Sequence, residues 1–439
     1  MSHRPTCHAP SLTRREMLRN TALAGFGIWT VSAAARGAEN RSPNEKLNIA
    51  GIGVGGQGAW NIGNCAGENV VALCDVDERR AKGSFERFPQ AKKYRDFRKL
   101  LDEMGNQIDA VLVATPDHIH APAAVAAMRM GKHCYCEKPL AHTVAEVRTM
   151  IELANKNKLA TQMGTQIHAG TNYRRVVELV QSGAIGPVSE VHVWHPVSYG
   201  GGDRPTDTPP VPPELDWDLW LGPAPVRPYH PCYLPGTWRS WWDFGSGGLG
   251  DFGCHYMDLP FWALKLRHPT TVETEGPPLH PERTSPGLIV RYEFPARGDL
   301  PPVKMTWHDG GQRPGFLAER KIPQWGAAVL FIGQKGMLIA DYGNHKLLPE
   351  DQFADFKRPD PTIPDSIGHH AEWFQACKTG SPTTCNFDYS GTLAEAVLLG
   401  NVAHRVGKKL QWDHVQLKAV GCPEADPLIH KSYREGWKL

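Results

Sequence analysis

Asp251 and His255 stand four residues apart in a stretch, 249–266, whose apolar spacing predicts a helix, so the two side chains share one face. A neutral imidazole can take a proton from an alcohol, and a neighbouring carboxylate can orient it or bind a substrate hydroxyl. Lys138 lies in Glu137-Lys138-Pro139, directly after the short strand-like run 133–136. An ammonium there would point into a cleft and steady a developing oxyanion, with Pro139 fixing the turn that aims it. Lys138 and His255 are both candidate bases, and residue types alone do not choose between them. Asp258 turns to a neighbouring face. Such a set suits hydride transfer at a secondary alcohol, provided that something carries the hydride.

A carrier site lies earlier in the chain. Residues 46–52 read as a buried strand running into Gly53-Val54-Gly55-Gly56-Gln57-Gly58, a G-x-G-x-x-G pattern. A helix over 59–65 and a second strand over 69–74 follow, and Asp75 comes 22 residues after Gly53. In this pattern Gly53 permits the tight turn, Gly55 lets backbone approach a pyrophosphate, and Gly58 allows close helix–strand packing. The helix N-terminus faces the phosphates. Gly56 and Gln57 belong to the same loop. Asp75 can accept hydrogen bonds from ribose hydroxyls and would repel a 2′-phosphate, which favours NAD over NADP.

The strand–helix alternation continues with a strand over 108–114, a helix over 121–130, a helix over 145–155 and a strand over 160–163. It predicts a doubly wound parallel sheet over 44–164, with ligands at the carboxyl ends of its strands. Thr115, Pro116, Asp117 and His120, read as a loop after one strand, and Glu137, Lys138 and Gln166 after later ones, are therefore the cofactor-contacting candidates. His120 would brace the nicotinamide end, and Asp117 would contact the cofactor or cap the next helix. His168 is a weaker candidate for reaching the same cleft. His118 and His120 are metal ligands by type but lack partners at metal-binding spacing, and no C-x-x-C pair occurs, so no metal is expected. Paired His369 and His370 read as structural.

After Gly164 the pattern changes. A helix is expected over 173–181 and strands over 188–195, 288–293, 303–307, 328–332 and 337–341, with helices over 367–378 and 392–405. Residues 197–245 form a long Pro/Gly/Trp-rich insertion containing Trp217, Trp220, Tyr229, Tyr233, Trp238, Trp241 and Trp242, with Arg239 among them. A connection of that length is usually functional. Aromatic faces can stack on sugar rings, and Arg239 can bind hydroxyls or carboxylates, although a loop anchored by buried tryptophans explains the aromatics equally well. Residues 432–439 read as an oligomer or surface contact.

These motifs resemble the Gfo/Idh/MocA oxidoreductases. The match includes Gly53-x-Gly55-x-x-Gly58, Asp75, Thr115-Pro116-Asp117-x-x-His120, Glu137-Lys138-Pro139, Asn172-Tyr173-Arg174-Arg175, the run from Gly250 to Asp258, and Leu398-Leu399-Gly400-Asn401-Val402-Ala403. The resemblance implies an α/β chain of two domains. An N-terminal Rossmann domain would be followed, over 165–439, by an α/β domain with a large, mostly antiparallel open sheet for substrate binding and oligomerisation. It implies oxidation or reduction of a hydroxyl or carbonyl on a sugar or polyol, with Lys138, Asp251 and His255 at the substrate, where Arg239 of the insertion is a further candidate read from its aromatic surroundings. It also implies a homodimer or homotetramer, and some relatives resemble glycosidases that use bound NAD with no net redox change.

Composition sets the outer limits. Hydrophobic residues make up 41% and charged residues 21% of 439 residues, a soluble globular profile. A formal net charge of +2 gives no reason to expect nucleic acid or insertion into a membrane. Residues 1–38 read separately, with a twin-arginine pattern at Arg14-Arg15, an apolar run over 21–32, and small residues before Ala38. This predicts an export signal and an extracytoplasmic, periplasmic protein. Its removal takes five Arg and one Glu and leaves a charge of −2. The ten cysteines are expected to be mostly buried, free thiols. Three functions compete: an exported oxidoreductase with tightly held NAD, an NAD-assisted glycosidase, and a non-catalytic sugar-binding protein with structural NAD.

Overall fold

The computed structural model describes residues 45–439, so the export signal expected over 1–38 lies outside the described residues. A parallel six-stranded sheet comes first. Its strands are β1 (Asn48–Ile52), β2 (Asn69–Cys74), β3 (Lys92–Tyr94), β4 (Ala110–Val113), β5 (His133–Cys136) and β6 (Thr161–Met163), in the order β3-β2-β1-β4-β5-β6. The order reverses between β1 and β4, the switch point where open α/β sheets bind ligands. The helices that cover it include α1 (Gln57–Asn64), α2 (Glu78–Arg87), α3 (Phe97–Met104), α4 (Asp117–Arg129) and α5 (Val144–Lys156). The central strands carry almost only Ala, Val, Leu and Ile and are fully buried, as a sheet covered on both faces requires.

A mixed, mostly antiparallel sheet of nine strands follows. It comprises β7 (Val188–Trp194), β8 (Thr271–Glu275), β9 (Ile289–Phe294), β10 (Val303–His308), β11 (Ala328–Gly333), β12 (Gly336–Ala340), β13 (His345–Leu348), β14 (Leu410–Asp413) and β15 (Lys418–Ala419). The order is β13-β12-β11-β7-β10-β9-β8-β14-β15, and only the β7–β10 pair is parallel. The buried helix Phe387–Val406 packs between this sheet and α5. One hydrophobic cluster therefore runs from Val111 and Val113 through Leu399 to Tyr292 and Trp307.

Two elements depart from expectation in ways that shape the site. Helix α4 starts at Asp117, so 117–120 is its first turn and not a loop. Pro116, itself extended at φ −59° and ψ 154°, stands just ahead of the helix, and an acidic side chain in the first turn complements the helix dipole. The helix expected over 249–266 is two helices, Gly247–Tyr256 and Asp258–Leu264. Pro260 has no N–H to give Tyr256, so the ladder breaks there. Asp251 and His255 still share the first of the two. The weakly patterned strands β3, β8 and β13 to β15, at or near the sheet edges, and helices α2 and α3, are additions to the sequence-based picture. Among the described residues the cysteines are free thiols, and all but Cys232 are buried. None of the described helices is long and apolar enough to cross a membrane.

Candidate active site

The β1–α1 turn is shaped by its glycines. Gly53 has φ +75°, and a Cβ there would sit 2.8 Å from the Ala114 carbonyl. A Cβ on Gly58 would fall 1.8 Å from the Gly53 carbonyl oxygen, so only glycine lets α1 start this close to β1. The first turn of α1 has no side-chain cap; Gly58 N and Ala59 N bond back to the Gly55 and Gly56 carbonyls, which leaves the leading N–H groups of Gly56 and Gln57 for an anion. Asp75, at the end of β2, braces this loop. Its Oδ2 accepts from Val54 N at 2.9 Å and Gly55 N at 3.1 Å, and its Oδ1 from Asp77 N at 3.0 Å. Burial pushes the Asp75 carboxyl up, against the pull of these N–H donors. Asp75 thus has a local structural task besides any ribose contact.

The turn opens into a cleft of about 390 Å³, a size typical of small-molecule sites. The lining includes Gly53, Gly55, Gln57, Asp75, Thr115, Pro116, His120, Glu137, Lys138, Gln166, Arg239, Asp251 and His255. Of the candidates read from sequence, Gly56, Gly58 and Asp117 do not line the cleft. Gly56 caps α1, Gly58 sits under the Gly53 carbonyl, and Asp117 is buried in the first turn of α4. Asp117 is therefore corrected from a cofactor contact to a buried carboxyl behind two cations. Burial raises it to about 7, opposed by Arg239 and Lys138.

At one end of the cleft three groups converge on Asp251. Lys138 Nζ lies 2.5 Å from Oδ1 and donates to the Asp251 carbonyl at 2.7 Å. Arg239 Nε lies 2.9 Å from Oδ1, and the Tyr199 hydroxyl donates to Oδ2 at 2.7 Å. Burial alone would raise the Asp251 carboxyl, but Lys138, Arg239 and the Tyr199 bond outweigh it and hold the group well below the usual carboxylate range. His255, one turn further on, is pushed down to about 3 by burial and then by Lys138, so its imidazole is neutral. Its buried Nδ1 has no partner. Glu137 is buried and accepts from Asn61 Nδ2 at 2.9 Å and Gln166 Nε2 at 2.8 Å. His120 Nε2 lies 2.8 Å from the Thr115 carbonyl, and its other ring nitrogen is buried and unpartnered.

The remaining candidates separate from the cleft. His168 pairs with Asp258 at 2.9 Å, and Tyr389 donates to Asp258 at 2.7 Å, so all three brace the interior. His369 bonds the Met163 carbonyl, and His370 stacks on Tyr135, both structural. His118 joins α4 to the insertion through the Trp220 and Phe244 carbonyls at 3.0 and 3.3 Å. Among the described residues no group of three or more His, Cys, Asp or Glu could hold a metal.

Most of the insertion's aromatics pack on one another. Trp220, Tyr229, Tyr233, Trp241 and Phe244 form their own cluster, with Trp217 stacked on Trp220 at 4.8 Å. Only Trp220 and Trp238, among the tryptophans of this stretch, line the cleft. The insertion also lies along the β2–α2 loop, where Asp216 N donates to the Val76 carbonyl and Glu78 N to the Glu214 carbonyl. Sequence reasoning missed Tyr199, Asp77, Arg80, Phe97, the Leu234–Pro235–Gly236 turn and Trp437, all of which touch Asp251 or line the cleft. A polar aromatic soon after a strand, in a proline-rich stretch, was the only signal for Tyr199.

A glycine-lined turn at a parallel-sheet switch point, facing a Lys–Asp–His set, defines a dinucleotide-binding Rossmann protein with polar groups gathered at the same cleft. Residues 46–165 match the model described as "Oxidoreductase family, NAD-binding Rossmann fold", and 169–298 the companion "C-terminal alpha/beta domain". The chain belongs to the Gfo/Idh/MocA oxidoreductase family. Inositol 2-dehydrogenase of Salmonella typhimurium is 33% identical over 154 residues, 34% of this chain and 45% of that protein. The chain thus spans about half the length of the curated relatives it matches. Two solved structures share the fold. GenD2 from gentamicin A biosynthesis, in complex with NAD, has a TM-score of 0.59 at 19% identity, covering 87% of this chain and 100% of that one. WlbA dehydrogenase from Bordetella pertussis, in complex with NADH and UDP-GlcNAcA, has a TM-score of 0.60 at 15% identity, covering 84% and 99%.

The cleft fits NAD on its own features. The turn tolerates only glycine at Gly58, the α1 N-terminus is uncapped, and an orphaned His120 nitrogen is buried beside the cleft.

Proposed function

We propose that this protein oxidises or reduces a secondary alcohol or its carbonyl on a sugar or polyol, with NAD held in the cleft. The observation that carries this reading is Lys138 Nζ, 2.5 Å from Asp251 Oδ1, in the same cleft as the glycine turn and His255. When bound, NAD accepts or returns the hydride. Lys138 donates to the substrate oxygen and stabilises its developing charge. His255, kept neutral by burial and by Lys138, accepts the hydroxyl proton. Asp251 holds Lys138, and Arg239 and Tyr199 hold Asp251. Arg239 lines the cleft and presents the rest of its guanidinium to substrate hydroxyls. The inositol dehydrogenases among the relatives support a polyol substrate.

The export reading of residues 1–38 supports a second element of the proposal. An exported chain that folds first can carry its nucleotide with it, so NAD would be a prosthetic group recycled within each turnover. The insertion lines part of the cleft through Leu234, Trp238 and Arg239, which favours retention; redox-neutral cleavage of glycosides is the alternative outcome. The test is to assay the purified, dialysed and then denatured protein for nucleotide, and to mix the intact protein with a panel of sugars, sugar acids and inositols while recording absorbance at about 340 nm. Bound NAD that a polyol reduces is the expected result. Aglycone release from aryl glycosides without lasting NADH identifies the alternative. A protein that binds no nucleotide, or whose NAD no polyol or glycoside engages, contradicts both.

A further inference from the structure

The cleft has a second end, and an unforeseen residue stands there. Lys138, Asp251 and His255 mark the reacting end, and the glycine turn marks the phosphates. Asp75, Arg95, Phe97 and Trp437 border the end beyond them, where the adenosine half must lie. Phe97 opens α3 just past β3, and the last β3 carbonyl, that of Tyr94, accepts from Asp75 N at 3.1 Å. The sheet therefore fixes Phe97 beside Asp75. Trp437 comes from the other end of the chain. Its ring packs on Phe97 with centroids 6.0 Å apart, and the Arg98 guanidinium sits 4.4 Å from its centroid.

That position is built, not incidental. Arg434 N donates to the Pro223 carbonyl at 3.1 Å, and its guanidinium pairs with Asp218 at 2.7 Å. Both partners belong to the insertion. Tyr433 and Lys431 reach Glu146 at the start of α5, at 2.5 and 2.9 Å. Arg129, at the end of α4, donates to the Leu439 carbonyl at 2.7 Å. Residues 431–439 thus tie the insertion to α3, α4 and α5 and leave Trp437 half-buried, bordering the cleft. The expectation of a surface or oligomer contact there misses this internal role.

We propose that Trp437, with Phe97, forms the adenine wall of the NAD site, and that segment 431–439 is the clasp that retains the nucleotide. A flat base beside two aromatic rings gains stacking that is indifferent to what happens at the nicotinamide. The inference rests on NAD occupying the cleft, and its test separates the two. Full-length wild type, Trp437→Ala and Trp437→Phe, freed of carried nucleotide by exchange, are titrated with NAD, ADP-ribose and nicotinamide mononucleotide. Expected for Trp437→Ala is a rise of about tenfold in Kd for NAD and ADP-ribose, in the range aromatic–base stacking supplies, with nicotinamide mononucleotide unchanged. Trp437→Phe should recover most of the loss. Unchanged Kd values for NAD and ADP-ribose overturn the inference while NAD binding stands. Equal weakening of all three ligands with a lowered Tm also overturns it, since the segment would then be only structural. A wild type that binds none of them removes the cofactor assignment itself.

Discussion

The two walls of the cleft are made by different means. The first wall is the Rossmann half, where each group hangs from the end of a regular element: the glycine turn from β1, Asp75 from β2, Thr115 from β4 and Lys138 from β5. The second wall is irregular chain, the insertion over 197–245 and the segment over 431–439, held by a private aromatic cluster and by side-chain bonds to backbone carbonyls. The first wall inherits its geometry from a buried parallel sheet. The second keeps its geometry only while Trp241, Tyr233 and Phe244 stay packed. The rigid half thus places the glycine turn and Lys138, the helix Gly247–Tyr256 places Asp251 and His255, and the half that can loosen supplies Arg239 and Tyr199, which hold Asp251.

This contrast can be broken at several points. The largest effect is expected from Lys138→Ala. It should cut kcat by about 10² to 10⁴, the usual worth of such a group, with bound NAD kept and a smaller loss of Tm as the buried Asp251 carboxylate is left to Arg239 and Tyr199. A Tm loss comparable to the activity loss would place Lys138 in the scaffold instead. Trp241→Ala comes next. Deleting a fully buried aromatic costs about 3–5 kcal/mol, and here the cost should fall on the insertion, speeding NAD release while the parallel sheet keeps its hydrogen-exchange protection. Uniform loss of protection across both walls would show that they are one cooperative unit.

Asp75→Asn should be milder. The amide can accept one of the loop N–H bonds but carries no charge, so NAD affinity should fall by about tenfold and discrimination against NADP should shrink. Calorimetry with both nucleotides measures it, and an unchanged preference would remove Asp75 from cofactor choice. The smallest effect is on pH. Burial holds His118, His120 and His255 at about 3, below the roughly 6.5 of an unfolded chain. Between those values the unfolded chain binds more protons, so stability is full above about pH 6.5 and falls as pH drops toward 3. Asp117, raised to about 7, has the opposite sign and loses stability as pH rises through 7. His195, His308, His345, His369 and His370, at about 3 or 4, add to these three histidines, and Asp309, also raised to about 7, adds to Asp117, so eight groups against two give a net fall on acidification. Denaturant titrations across pH 4–8 (a range of about four units) would show it, and a flat profile would contradict the burial of these histidines.

What was legible in sequence follows the same division. G-x-G-x-x-G, Asp75, Glu137-Lys138-Pro139 and Asp251-x-x-x-His255 announce themselves because fixed spacing on regular elements dictates where side chains go. The cleft accordingly contains Gly53, Asp75, Lys138, Asp251 and His255 together. Asp117 was misread because a Pro-preceded helix start looks like a loop until its first turn is seen. Tyr199 and Trp437 could not be found. One meets Asp251 across 52 residues of sequence and the other meets Phe97 from the far end of the chain, through tertiary bonds that leave no local pattern. Arg239 was visible only as an arginine among aromatics.

The most direct measurement follows the hydride. A polyol deuterated at its carbinol carbons is mixed with the NAD-loaded protein, the nucleotide is recovered by denaturation, and its nicotinamide ring is examined by mass spectrometry. The account predicts deuterium on the nicotinamide ring in wild type and little or none in Lys138→Ala at equal nucleotide occupancy. Unlabelled reduced nucleotide from a wild type quenched within its first turnover, or equal labelling in the variant, would contradict it.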